Sequence, residues 1–154
     1  MKIKTLLLGQ SLILVGGTIF AWSKLLGQFD NFKMIYGTVF RFQDCVISNP
    51  FLTPCFWGSM AFIFATVWSF SNWFKPGYTR QRYLRNFLLF CVFFAGSVVA
   101  YEFIEYYKLF GANTVSISCA PGVFPLLTPC FTGLLFFLVA YITSIVATRR
   151  FAKP

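Results

Sequence analysis

Leu52-Thr53-Pro54-Cys55-Phe56-Trp57-Gly58 returns later in the chain as Leu127-Thr128-Pro129-Cys130-Phe131-Thr132-Gly133. Six of the seven positions are identical, and the separation is constant at 75 residues (127 less 52). The match extends outward: Pro50 pairs with Pro125, Phe62 with Phe137, Ala65 with Ala140 and Ser69 with Ser144. A weaker echo links Gly17-Thr18-Ile19-Phe20-Ala21-Trp22 to Gly96-Ser97-Val98-Val99-Ala100-Tyr101. Thr-Pro-Cys-Phe uses uncommon residues, so chance is a poor explanation for its return. Each copy reads as an N-cap threonine followed by proline at the first helical position. The repeat therefore predicts two helices that begin alike, and a chain built by tandem duplication.

Working outward from these two helix starts, the chain divides into apolar runs. Thr5–Ser23, Cys45–Phe74, Asn86–Tyr101 and Leu109–Thr148 contain no Asp, Glu, Lys or Arg. The 154 residues are 58% hydrophobic and only 11% charged, where a soluble domain carries about 25% charged residues. A small domain has too much surface for its volume to hide that much apolar side chain from water. A bilayer core is spanned by roughly 20 apolar residues in a helix, and the runs do not alternate as membrane strands do. The expected fold is thus all-α: a four-helix transmembrane bundle from a parallel duplication of a two-helix hairpin. Unit one covers residues 1–74, with a first span at about 5–23, an outer loop at 24–53 and a second span at about 54–74. A basic cytoplasmic loop occupies 75–85. Unit two covers 86–154, with spans at about 86–107 and 129–148, an outer loop at 108–128 and a basic tail. Gly16, Gly17, Ala95 and Gly96 are small enough for close helix approach.

The formal charge of +9 is unevenly placed. Lys2, Lys4, Lys75, Arg80, Arg82, Arg85, Arg149, Arg150 and Lys153 fall on one side of a four-span chain. Lys24, Lys33, Arg41 and Lys108 fall on the other, together with Asp30, Asp44, Glu102 and Glu105. This positive-inside pattern predicts cytoplasmic termini and extracytoplasmic cysteine-bearing loops. It reads as topology and lipid contact, not as nucleic-acid binding. Trp22, Trp57, Tyr106 and Tyr107 would mark the outer interface, and Trp73, Tyr78 and Tyr83 the inner one. The first run also has the outline of a signal peptide ending at Ala21-Trp22-Ser23. The repeat argues that it is retained as a span.

Both outer loops are uncharged near the repeat, apolar and rich in proline, which blocks regular helix. Four of the five cysteines belong to them: Cys45 and Cys55, then Cys119 and Cys130, with nine and ten residues between. An extracytoplasmic compartment lets disulfides persist. Four cysteines allow three connectivities; duplication favours Cys45–Cys55 with Cys119–Cys130, each bridge stabilising by about 3 kcal/mol in the loop-entropy view. Cys91 lies within a span and reads as a small apolar residue. Cys55 and Cys130 have a second reading. In the first turn of a helix, free N–H groups and the dipole favour a thiolate, and such a cysteine with a loop partner is the working part of a thiol–disulfide exchanger.

In architecture this arrangement is similar to the membrane disulfide oxidoreductases of the DsbB and vitamin K epoxide reductase type, four-helix proteins with outward cysteine pairs and a quinone. Their Cys-x-x-Cys is absent here, so no residue carries over.

Absences narrow the chemistry. There is no histidine, the usual haem ligand, commonest metal ligand and commonest general base. No span has a charge near its middle, as ion-coupled carriers usually require. Gln10, Ser11 and Asn72 are the notable polar residues toward the inner side. Glu102, Glu105 and Lys108 share one face near the outer end of the third span and read as an interfacial salt-bridged face, with Lys24 nearby; a cation or proton site is the functional alternative. Three functions follow. The first is a non-catalytic scaffold or accessory subunit with disulfide-stapled outer loops, in contact with the lipid bilayer and a membrane-protein partner or a second copy, without metal or cofactor. The second is a thiol–disulfide oxidoreductase using Cys55 and Cys130 with partners Cys45 and Cys119, which implies a quinone. The third is a small transporter or channel along the pseudo-two-fold axis.

Overall fold

A computed structural model describes residues 3–40, 49–109 and 123–151. The described residues form four helices and no strand: α1 Ile3–Tyr36, α2 Pro54–Phe74, α3 Tyr78–Tyr106 and α4 Pro129–Phe151. Short 3₁₀ turns, Pro50–Leu52 and Pro125–Leu127, precede α2 and α4. Three helices, α1, α3 and α4, are long and apolar enough to cross a membrane. The sequence led us to expect four. α2, 21 residues long, carries no charged residue.

Two helices run further than the apolar runs implied. α1 continues past Ser23 to Tyr36. Lys24, Asp30 and Lys33 had marked that stretch as loop, yet Leu25, Phe29, Phe32 and Tyr36 keep a spacing of four, three and four, so one apolar stripe persists. The helix stops at Gly37, whose φ of 69° and N–H bond to the Lys33 carbonyl (2.8 Å) make a left-handed cap. At the other end, the turn Lys75–Gly77 is all that separates α2 from α3. The basic residues Arg80, Arg82 and Arg85 lie on the first turns of α3, not in a loop. α3 ends with Leu109 N–H bonded to the Ile104 carbonyl and Lys108 N–H to that of Glu105. Lys108 takes φ 50° there, the position glycine usually fills in this motif.

α1 packs against α2 and α4, and α3 against α4 and α2; α1 and α3 lie diagonally across the bundle and meet through side chains, Gln10 with Gln81 among them. The centre holds Leu14, Phe62, Ala65, Leu84, Leu88, Cys91, Phe137 and Ala140. Phe62 and Phe137 stack face to face, with centroids 3.8 Å apart and planes within 8°. A Cβ on Gly17 would meet Phe62 Cε1 at 2.5 Å, so only glycine lets α1 approach here. Gly16 lies near Phe136, whereas a Cβ on Gly96 would meet nothing within 4 Å. Gly96 is therefore not the structural counterpart of Gly17. The buried positions of α1 and α3 instead correspond at a separation of 74: Leu7 with Gln81, Leu14 with Leu88, Gly17 with Cys91 and Leu25 with Val99.

Polar groups are buried beside the apolar centre, and many large apolar groups are exposed. Gln10, Ser11, Ser69, Asn72, Gln81 and Ser144 are buried, while Ile19, Trp57, Phe64, Phe90 and Phe93 are exposed. Gln81 joins the four helices: it accepts from Asn72 Nδ2 (3.1 Å) and donates to Gln10 Oε1 (2.8 Å) and Ser144 Oγ (3.0 Å). Ser11 and Ser69 bond at 2.8 Å. Gln10, Ser11 and Asn72 were singled out in the sequence; Gln81, hidden among the basic residues, is what connects Gln10 to Asn72.

Candidate functional site

The repeated motif folds the same way twice. Thr53 N–H bonds to the Pro50 carbonyl (3.2 Å) and Thr128 N–H to that of Pro125 (3.3 Å), closing each 3₁₀ turn. Asn49 further fixes the first turn: its Oδ1 accepts from Phe51 N–H (2.9 Å) and its Nδ2 donates to the Val39 carbonyl (3.0 Å). Proline then opens each helix, which puts Cys55 and Cys130 at the second helical position. Each threonine occupies the N-cap, but the two side chains act differently. The Thr53 hydroxyl turns back to the Pro50 carbonyl (2.7 Å) and makes no cap bond. Thr128 Oγ1 accepts from Phe131 N–H (3.3 Å), so it does cap α4.

The two helix starts converge. Cys55 Sγ and Cys130 Sγ are 3.6 Å apart. That is contact, not a bond, which requires about 2.05 Å. Cys55 is disulfide-bonded, to a partner outside the described residues. Cys130 carries a thiol. Cys45 and Cys119, the loop partners expected from the sequence, lie outside the described residues. Cys91 is a buried thiol in the core stripe of α3.

Glu102 belongs to this site. The sequence set it on an interfacial face with Glu105 and Lys108; the structure separates the three. Glu102 is 3% exposed, and its Oε2 lies 2.7 Å from Thr128 Oγ1, two residues before Cys130. Glu105 Oε2 is buried with no hydrogen-bond partner, and Lys108 closes α3. Lys24 sits over the Phe20 ring, 5.9 Å from its centroid, within cation–π range. The signal for Glu102 was present as a stripe: Leu84, Leu88, Cys91, Val99 and Glu102 fall on one buried side of α3. Its partner on α4 was not visible, because only the tertiary fold brings Thr128 beside it.

Above the stacked phenylalanines, the two sulfurs border an apolar cavity of about 60 Å³. Its walls come from Phe20, Ala21 and Lys24 of α1 and Phe94, Ala95 and Val98 of α3, the two diagonally placed helices. Its floor includes Phe62 and Phe137. Among the described residues, no three His, Cys, Asp or Glu side chains group to hold a metal. The site therefore combines a disulfide sulfur, a thiol in contact with it, a buried carboxylate and an apolar recess. No family model matches the chain, and neither a curated protein nor a solved structure is detectably similar to it.

Proposed function

We propose that this chain is a membrane thiol–disulfide oxidoreductase of four spans, duplicated from one hairpin, with its sulfurs on the extracytoplasmic side. The observation that carries the activity is the 3.6 Å contact between the Cys130 thiol and the disulfide-bonded Cys55. Reaction between bound groups begins from separations of roughly 3–3.5 Å. A bridge serving only as a staple needs no second sulfur beside it, which is why this reading displaces the scaffold favoured by composition alone.

The exchange balances without an added reagent. The Cys130 thiolate attacks Cys55 Sγ, a Cys55–Cys130 bond forms, and the former partner of Cys55 leaves as a thiolate that takes a proton. For net turnover, a dithiol substrate loses two electrons and two protons to become a disulfide, and a lipid-soluble quinone gains them to become the quinol. The apolar lining beside the two sulfurs is where such an acceptor would approach them.

Membrane insertion is supported by the many large apolar side chains exposed on the helices, since exposed apolar surface on this scale marks a membrane or partner surface. The cytoplasmic placement of both termini rests on the nine-to-four division of basic residues. Duplication is supported by the twin turns and by the matching burial of α1 and α3. The stacked Phe62–Phe137 pair fills the axis beneath the sulfurs and weighs against a channel.

The test is dithiol oxidation by the purified protein in lipid nanodiscs, with a reduced dithiol peptide and a short-chain quinone. The wild type and Cys91→Ser should turn over, and Cys130→Ser should not. Equal rates in Cys130→Ser and wild type would return the protein to the scaffold reading.

A further inference from the structure

The cavity beside the sulfurs is lined by matching pairs. Phe20 and Ala21 of α1 answer Phe94 and Ala95 of α3 at the 74-residue separation (94 less 20, 95 less 21). Gly58 of α2 answers Gly133 of α4 at 75, as do the prolines, cysteines and phenylalanines that line it with them. Two positions break the match. Lys24 stands where the second half has Val98, and Ser59 lines the cavity where its counterpart, Leu134, does not. Ser59 gives its hydroxyl hydrogen to the Cys55 carbonyl (2.8 Å). Among the described residues, Lys24 is thus the single charged side chain on this surface.

Two features place its ammonium group. The residue lines the cavity and is itself exposed, so it stands at the rim. Its Nζ lies over the face of Phe20, one of the cavity walls, 5.9 Å from the ring centroid. The surface therefore offers apolar contact from both halves and hydrogen-bond donors at one edge. An ammonium carries three N–H donors and no acceptor. A hydrocarbon would leave those donors unused, and a polar solute would exchange water for an apolar lining at a cost. A quinone meets both demands, with an apolar ring and carbonyl oxygens that accept at its edge.

Resting on the exchange reading above, we propose that Lys24 donates a hydrogen bond to a carbonyl oxygen of the quinone acceptor, and so fixes which way the ring sits in a cavity otherwise lined alike from both halves. The transfer starts from the reduced pair. The Cys55 and Cys130 thiols lose two electrons and two protons, an S–S bond forms between them, and the two quinone oxygens become the hydroxyls of the quinol. Negative charge builds on those oxygens as the electrons arrive, and a donor already aimed at one of them stabilises it. Lys24 keeps its own protons throughout.

The test is binding of duroquinone, whose ring positions are all methylated so that thiols do not add to it, to the protein in nanodiscs, read by quenching of tryptophan fluorescence. Durene, the same methylated ring without the carbonyls, is read by its displacement of duroquinone. Lys24→Met should weaken duroquinone by about tenfold or more, as loss of a hydrogen bond to a charged donor predicts, and leave durene unchanged. Lys24→Arg should keep most of the affinity. So should Lys24→Val/Val98→Lys, which moves the charge to the matching position of the other half. Duroquinone binding that is unchanged in Lys24→Met would overturn the proposal, as would the absence of saturable binding to the wild type. An equal loss of durene would overturn it too, since the substitution would then only disturb the cavity, and so would a loss that neither Lys24→Arg nor the exchanged pair recovers. Binding needs no turnover. Lys24-dependent binding in a protein that oxidises no dithiol keeps the site and removes the activity; turnover with wild-type affinity in Lys24→Met does the reverse.

Discussion

The two halves of this molecule present the same turn and put different chemistry behind it. Pro-x-Leu-Thr-Pro-Cys closes a 3₁₀ turn and starts a helix in both, and Phe62 and Phe137 meet as a stacked pair beneath. Yet Thr53 has the Pro50 carbonyl as its hydroxyl partner, whereas Thr128 has both the Pro125 carbonyl and Glu102. A shared backbone therefore brings two sulfurs together, and the buried Glu102 carboxylate meets the threonine of the second turn.

The largest effect should come from breaking the sulfur contact. Cys130→Ser should reduce dithiol oxidation to background, with helix content by circular dichroism unchanged, because a hydroxyl of the same shape cannot exchange with a disulfide. Cys91→Ser, which alters a core sulfur that does not line the cavity beside Cys55 and Cys130, should keep its turnover.

The next effect lies at the opposite end of the bundle, where buried polar groups join the helices beside a small apolar cluster of Leu6, Leu7 and Ala147. Gln81→Leu removes one side chain and strips partners from Gln10, Asn72 and Ser144. Leaving buried polar groups unpaired costs about 1–3 kcal/mol, and unfolding in detergent should show the loss. Ser11→Ala removes the single bond to Ser69 and should cost only about 0.6 kcal/mol, the average for such bonds between membrane helices.

The two glycines aligned by the sequence echo give a finer comparison. Gly17→Ala should destabilise by about 1–3 kcal/mol, because the new methyl must displace Phe62 and with it the Phe62–Phe137 stack. Gly96→Ala, with nothing near its Cβ, should be neutral or stabilise slightly, as alanine favours helix more than glycine does. Equal effects would mean that the 79-residue echo, and not the 74-residue burial match, aligns α1 with α3.

What the sequence made legible follows from how local each signal is. Pro54 and Pro129 announce helix starts because proline at the first helical position is a local steric fact, and both cysteines came with them. The length of α1 was misread because charge was taken to mean loop, when a helix can leave an apolar region and stay a helix. Arg80 to Arg85 misled in the same way, and concealed Gln81 among them. The weak Gly17–Gly96 echo gave the wrong register, since burial and not composition pairs the two helices. Glu102 shares a buried stripe with Leu88 and Cys91 and was readable as inward-facing. That Thr128 and Cys130 stand beside it depends on the packing of α3 against α4, which no spacing in the sequence expresses.

The exchange reading meets its most direct test when the loop cysteines are removed. In Cys45→Ser/Cys119→Ser, Cys55 and Cys130 have each other as neighbours at 3.6 Å. Adding a short-chain quinone to this variant in nanodiscs should produce a Cys55–Cys130 cross-linked peptide in the non-reduced digest, with one quinol formed per bridge. If both cysteines remain open to alkylation after the quinone is added, the two sulfurs do not form the exchanging pair, and the proposed oxidoreductase activity is contradicted.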